Sequence, residues 1–154
     1  MQRLTRRTAL ALLAALPAVL PAACGRRDIA APRGPQAPAE VSRLIGRYAR
    51  AYEVPEALVH RVVRRESGYN PAARNGPYYG LMQILPQTAA TMGYRGAPEG
   101  LLDADTNLRY GVKYLRGAWL VARRNPDRAV MWYSKGYYYE AKRMGLLEET
   151  GLRA

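Results

Sequence analysis

The chain has 154 residues, enough for one domain with a modest core, and its 49% hydrophobic content excludes an intrinsically disordered protein. Lys and Arg number 24 against 12 Asp and Glu, a net charge of +12 that implies an anionic partner without saying which: nucleic acid, lipid headgroups and carboxylate-bearing polymers all qualify. The single cysteine excludes an internal disulfide, and the single histidine leaves no metal-ligating cluster, so no metal and no cofactor are expected.

In chain order, the first feature is an export signal over residues 1–23. Arg3, Arg6 and Arg7 precede an apolar run from Ala9 to Ala23 that is too short to span a membrane and has no polar face. Thr5-Arg6-Arg7-Thr8-Ala9-Leu10 is similar to a twin-arginine signal, with Ala9 where an aromatic is usual. Leu20-Pro21-Ala22-Ala23-Cys24-Gly25 resembles a bacterial lipobox, in which Cys24 would be lipidated and become the mature N-terminus. The alternative is plain cleavage near Ala22-Ala23, leaving a free thiol. Either route lowers the net charge from +12 to +9 by removing the three arginines, makes the product a periplasmic one, outer-membrane-anchored if lipidated, and argues against nucleic acid as partner. Residues 24–39, with Pro32, Pro35 and Pro38 and little apolar content, read as a tether, so the folded domain is expected over residues 40–154.

Helical signals follow. Val41, Leu44, Ile45, Tyr48 and Tyr52 share one helix face. Pro55 opens a second helix with the stripe Leu58, Val59, Val62 and Val63, stopped by Gly68 and Pro71. Asn75-Gly76-Pro77 is a turn, and residues 78–84 could hold a short strand. Pro86 opens a short helix that Gly93 can cap. Asp103 or Asp105 caps a long one whose inner face is Leu108, Gly111, Val112, Leu115, Ala118, Trp119 and Ala122. Pro126 opens another through Tyr133, and a last one is predicted over 139–147. The fold class is mainly α, with a small β element near a cleft.

Glu66 continues the second stripe: Val59, Val62, Val63 and Glu66 are i, i+3, i+4 and i+7. A carboxyl on a buried stripe at a helix C-terminus sits where burial and the helix dipole both disfavour negative charge. Such a group suits the acid step of glycosidic cleavage, in which the leaving oxygen must receive a proton. Periodicity alone equally allows a Glu66 that ends the helix and pairs with Arg65.

Four ordered blocks bear on that choice. Glu66-Ser67-Gly68-Tyr69-Asn70-Pro71-Ala72 is followed by Gly80-Leu81-Met82-Gln83-Ile84-Leu85-Pro86-Gln87-Thr88-Ala89. Then come Leu101-Leu102-Asp103 with Asn107, Gly111 and Tyr114-Leu115, and Tyr133 with Gly136. Over roughly residues 41–145 the chain resembles the soluble lytic transglycosylase family, whose catalytic domain is related to goose-type lysozyme. The resemblance implies an α+β lysozyme-like fold and Glu66 as the single catalytic acid/base. Ser67 would be oriented toward the acid or the sugar. Gly80, Met82 and Gln83 would line the cleft, Gln83 offering an amide to an N-acetyl sugar, and Tyr133 would position the carboxyl or the substrate; Met82 and Tyr133 could equally be ordinary core. Two departures stand out. Ser134, in Tyr133-Ser134-Lys135-Gly136, takes the place of the family's usual Asn, and Asn75-Gly76-Pro77-Tyr78-Tyr79 replaces a loop that usually carries Ser and a Gly-Ala pair. Tyr137, Tyr138 and Tyr139 could stack on sugars or could be core and rim.

What the resemblance implies chemically is cleavage of peptidoglycan glycan strands between N-acetylmuramic acid and N-acetylglucosamine with closure of a 1,6-anhydro ring. The sequence nominates no second carboxylate: Asp103 and Asp105 read as helix-start caps and Glu99 lies in a Gly/Pro-rich loop. The competing readings are a goose-type muramidase, a non-catalytic peptidoglycan-binding module, and a basic nucleic-acid binder. Arg61, Arg64 and Arg65 suggest the last but are equally a solvated helix face.

Overall fold

The computed structural model describes residues 38–153. The export segment, Cys24 and all but the end of the proline-rich tether therefore lie outside the described residues.

Helix α1 (Ala39–Ala51) buries Val41, Leu44, Ile45 and Tyr48, and α2 (Glu56–Ser67) buries Leu58, Val59, Val62 and Val63, so both stripes face inward as their spacing requires. Pro55 sits one position earlier than expected, at the cap of α2, and Gly68 ends that helix in the left-handed region at φ 58°. Two two-residue strands follow, β1 (Arg74–Asn75) and β2 (Tyr78–Tyr79), antiparallel with Asn75 opposite Tyr78; Tyr79 also bridges Ile84. The strand expected within residues 78–84 thus exists, but only as this hairpin arm. Helix α3 (Pro86–Thr91) carries its proline in the first turn, and the chain turns out of it through Gly93 at φ 103°. A 3-10 turn (Pro98–Leu102), which no periodicity announces, leads into α4 (Ala104–Val121).

Of the two acids that could cap α4, Asp103 does so, accepting from the Thr106 amide at 2.8 Å. Asp105 instead pairs with Arg47 at 3.2 Å and Arg109 at 3.1 Å. The Thr106 hydrogen bonds hold the Asp103 carboxyl below its ordinary range. Its contribution to stability is therefore complete above the unfolded aspartate range and fades as pH falls through the lowered folded value. Asp103→Ala is expected to destabilise the domain by about 1 kcal/mol at neutral pH, about 4–8 °C in thermal midpoint. The gap from wild type should narrow in acid, which thermal unfolding at two pH values would read.

Helix α5 (Pro126–Lys135) is capped by Asn125, which accepts from the Arg128 amide at 3.0 Å, and α6 (Tyr138–Met144) is shorter than the 139–147 expected because Gly145 turns left-handed at φ 71°. Helix α4 is the central pole: α1, α3, α5, α6 and the 3-10 turn all pack on it, while α2 packs on α1. The main core joins Ile45, Val59, Val62, Leu108, Val112, Leu115 and Ala129. A smaller cluster of Tyr79, Ile84, Ala89 and Leu101 sits under the hairpin. No described helix is long and apolar enough to cross a membrane.

Candidate active site

Glu66 lies in the last turn of α2, its side chain 22% exposed. Its Oε1 accepts from Arg65 Nε at 3.0 Å and from Arg65 Nη2, which also donates to Ser134 Oγ on α5. One arginine thus ties the end of α2 to α5 across a cavity of about 390 Å3, walled by Glu66, Arg65, Ser134, Tyr133, Gln83, Asn75 and Tyr78. A second cavity of about 330 Å3 shares Tyr78, Gln83, Tyr133 and Ser134 and continues past Leu85 and Thr88 to Tyr114 and Lys135. With four walls in common, the two form one polar trough. Glu66 is the only carboxylate lining either part among the described residues.

A larger cavity of about 510 Å3 lies at the other end of α2 and carries Glu53 and Glu56. The Glu56 side chain is 51% exposed there, well hydrated beside the 22% of Glu66. The trough is the better candidate.

The sequence-predicted residues divide into those in the trough and those beneath it. Gln83 and Tyr133 line it. Gln83 is held at φ 46°, and its Nε2 donates to the Gly80 and Ala73 carbonyls at 2.8 and 3.1 Å, which leaves Oε1 as the open end of its amide. The Tyr133 hydroxyl donates to the Met82 carbonyl at 2.7 Å. Burial, and then the nearby Glu66 charge, push that phenol well above its ordinary value, so it stays neutral. Ser67 faces neither the acid nor the trough: its hydroxyl donates to the Leu81 carbonyl at 2.8 Å and to Val63 at 3.2 Å, fastening the loop to α2.

Gly80 and Met82 do not line the cleft. The Met82 side chain is fully buried against Gly111, where a methyl group on the glycine would collide with the sulfur. Gly80 sits at φ 69° so close to Asn107 and the Leu101 carbonyl that no Cβ fits. Close packing decided both positions, against Asn107 and the Leu101 carbonyl for Gly80 and against Gly111 for Met82, and the segment reaches the trough through Gln83, Ile84 and Leu85. Tyr137 is buried, its hydroxyl donating to the Tyr114 carbonyl at 2.8 Å. Tyr138 and Tyr139 are exposed but form no part of the walls of either cavity.

Asn107 was underread. It is completely buried, accepts from the Met82 amide through Oδ1, and donates through Nδ2 to the carbonyls of Tyr79 and Leu101, each at 2.8 Å. The available signal was a polar residue beside Leu108 on an otherwise apolar stripe. Tyr78, Asn75, Ser134 and Arg65 as walls of one cavity follow from tertiary placement, which spacing does not encode.

Three comparisons bear on this arrangement. Residues 43–144 match the family model described as the transglycosylase SLT domain. The chain is 34% identical over 87 residues to the soluble lytic murein transglycosylase of Escherichia coli K12, an overlap covering 51% of this chain and 13% of that one. It is 34% identical over 92 residues to the membrane-bound lytic murein transglycosylase C of Haemophilus influenzae PittGG, covering 54% of this chain and 25% of the relative. The crystal structure of the 70 kDa soluble lytic transglycosylase from E. coli superposes with a TM-score of 0.59 at 27% identity, over 70% of this chain and 19% of the larger one. The chain therefore spans a quarter or less of the length of these relatives. The helical, lysozyme-like fold implied by the sequence blocks agrees with that superposition. With the match spanning most of the folded part, the chain belongs to the transglycosylase SLT domain family.

Proposed function

We propose that this chain is a lytic transglycosylase that cleaves the glycan strands of peptidoglycan, with Glu66 as its one acid/base. The observation that carries the reading is Glu66, the one carboxylate among the described residues that line the trough, whose other walls are amide, hydroxyl, aromatic, aliphatic and cationic side chains. A glycosidase that activates water with a second carboxylate needs that second acid opposite the first. The two acids at the start of α4 are committed elsewhere, Asp103 to its cap and Asp105 to two arginines. A substrate that supplies its own nucleophile removes the need.

Glu66 gives its proton to the oxygen between N-acetylmuramic acid and N-acetylglucosamine as the C1–O bond breaks, and the neighbouring acetamido group stabilises the cation. The carboxylate then takes the proton of the sugar's 6-hydroxyl as that oxygen bonds C1, closing the 1,6-anhydro ring and restoring the acid. No water is consumed. Arg65 holds Glu66 Oε1, and an entering glycan must compete with it for that oxygen. Gln83 Oε1, left open because Nε2 is spent on the Gly80 carbonyl, accepts from an N-acetyl amide of the bound glycan in this reading. Residues 1–23 would export the chain to the periplasm and a lipid on Cys24 would anchor it to the outer membrane, with residues 24–39 as tether. The lipobox-like sequence and the membrane-bound relative support this.

Digestion of purified peptidoglycan with mass analysis of the released muropeptides tests the reaction. Products lighter by one water than hydrolytic fragments are expected. Products of hydrolytic mass would make the protein a muramidase, and binding without release would make it a wall-binding module.

A further inference from the structure

The trough has one feature that the reaction does not use. Tyr78 is 42% exposed, one of three large apolar residues left so open among the described residues, and it forms a wall of both cavities. An exposed ring between two recesses of an otherwise polar trough leaves apolar surface in water that a ligand with a flat hydrocarbon face would cover.

The ring is also held in place. Gly76 at φ 57° and Pro77 make the turn, and Asn75 pairs opposite Tyr78. Alternation along the strand sends the next residue, Tyr79, inward. The Tyr79 backbone pairs with Ile84 in both directions at 3.2 and 3.1 Å, and its carbonyl accepts from Asn107. Arg74 donates to the Tyr79 hydroxyl at 2.6 Å and lies 4.5 Å from its ring centroid. Tyr78 therefore stands on a clamped backbone with only its side-chain torsions free, and little entropy is lost when something stacks on it.

We propose that Tyr78 is a stacking platform for one pyranose ring of the glycan, fixing where the strand lies relative to Glu66. This rests on the glycan reading of the trough. A pyranose presents axial C–H groups on one face, the chemistry an aromatic plate recognises, while its N-acetyl and hydroxyl groups remain free for Gln83 and Ser134. The role belongs to the ring and not to the phenol oxygen.

The test uses the full chain carrying Glu66→Gln, so that binding is read without turnover, with Tyr78 intact or changed to Phe or Ala. Two probes are compared: insoluble purified peptidoglycan, and a soluble β-1,4-linked N-acetylglucosamine hexamer that carries no peptide. Tyr78→Ala is expected to weaken both about tenfold, and Tyr78→Phe to stay within about twofold. With Glu66 restored, Tyr78→Ala should raise KM more than it lowers kcat. Unchanged binding of either probe by Tyr78→Ala overturns the proposal, and so does a loss confined to peptidoglycan, which would assign the ring to a peptide stem. The reaction fails separately: a wild-type protein that releases nothing, yet binds the hexamer less well after Tyr78→Ala, overturns the enzymatic reading and keeps the platform.

Discussion

Glu66→Gln is expected to reduce release of muropeptides by about a thousandfold, within the range typical of a single general acid/base, while thermal stability and peptidoglycan binding stay near wild type. The substitution is nearly isosteric. The glutamine oxygen can still accept from Arg65 Nε, so the tie from α2 through Arg65 to Ser134 on α5 survives. What disappears is the proton. A primary amide can neither protonate the leaving oxygen nor accept the proton of the 6-hydroxyl, and both steps fall on the same atom pair. Because no other carboxylate among the described residues lines the trough, no neighbour there can take over. A Glu66→Gln protein with more than about a tenth of wild-type release would sink the assignment, since general acid/base contributions run well above that. Loss of binding together with activity would instead mean that the charge organises the trough.

The elements were legible to different depths, for physical reasons that can be named. A helix against a core writes its period into the chain, so Val41 to Tyr52 and Leu58 to Val63 could be read directly, and proline and glycine fixed where α3, α5 and α2 begin or end. The 3-10 turn Pro98–Leu102 has no such period and went unread. At the site, spacing puts Glu66 on the inner edge of α2 but leaves open whether its carboxyl pairs with Arg65 or faces a cleft, and it does both. Gly80 and Met82 were misplaced because a motif marks a loop without saying which of its atoms face outward. Here Met82 fills space that Gly111 vacates, while Gln83 turns to the trough. The aromatic run at residues 137–139 stands out by composition, yet the exposed ring on the trough is Tyr78, brought there by a two-residue strand too short to show alternation in sequence.

The substitution with the largest expected cost to folding is at Asn107. Asn107→Ala should destabilise the domain by about 3–5 kcal/mol, a large share of the roughly 5–15 kcal/mol that holds a domain of this kind together. Three backbone groups depend on this one side chain: the Met82 amide and the carbonyls of Tyr79 and Leu101. The site is closed to solvent, so the Met82 amide and the Leu101 carbonyl would be left without a partner, at about 1–3 kcal/mol apiece, and the Tyr79 carbonyl would keep only the Ile84 amide. The three groups come from the hairpin, the motif loop and the 3-10 turn, so the amide is the joint at which the floor of the trough meets α4. Asn107→Asp discriminates this account from a simple loss of packing. It preserves volume and the acceptor for Met82, but turns a donor into an acceptor facing two carbonyls, and should cost at least as much as alanine. Chemical denaturation of both variants, with hydrogen exchange at the Met82 amide, reads the effect. Activity should fall even where the variants remain folded, because the loop that Asn107 fastens carries Gln83 and receives the Tyr133 hydroxyl. An Asp variant near wild-type stability would mean that the aspartate binds protonated or that water enters, and either would remove Asn107 as the joint.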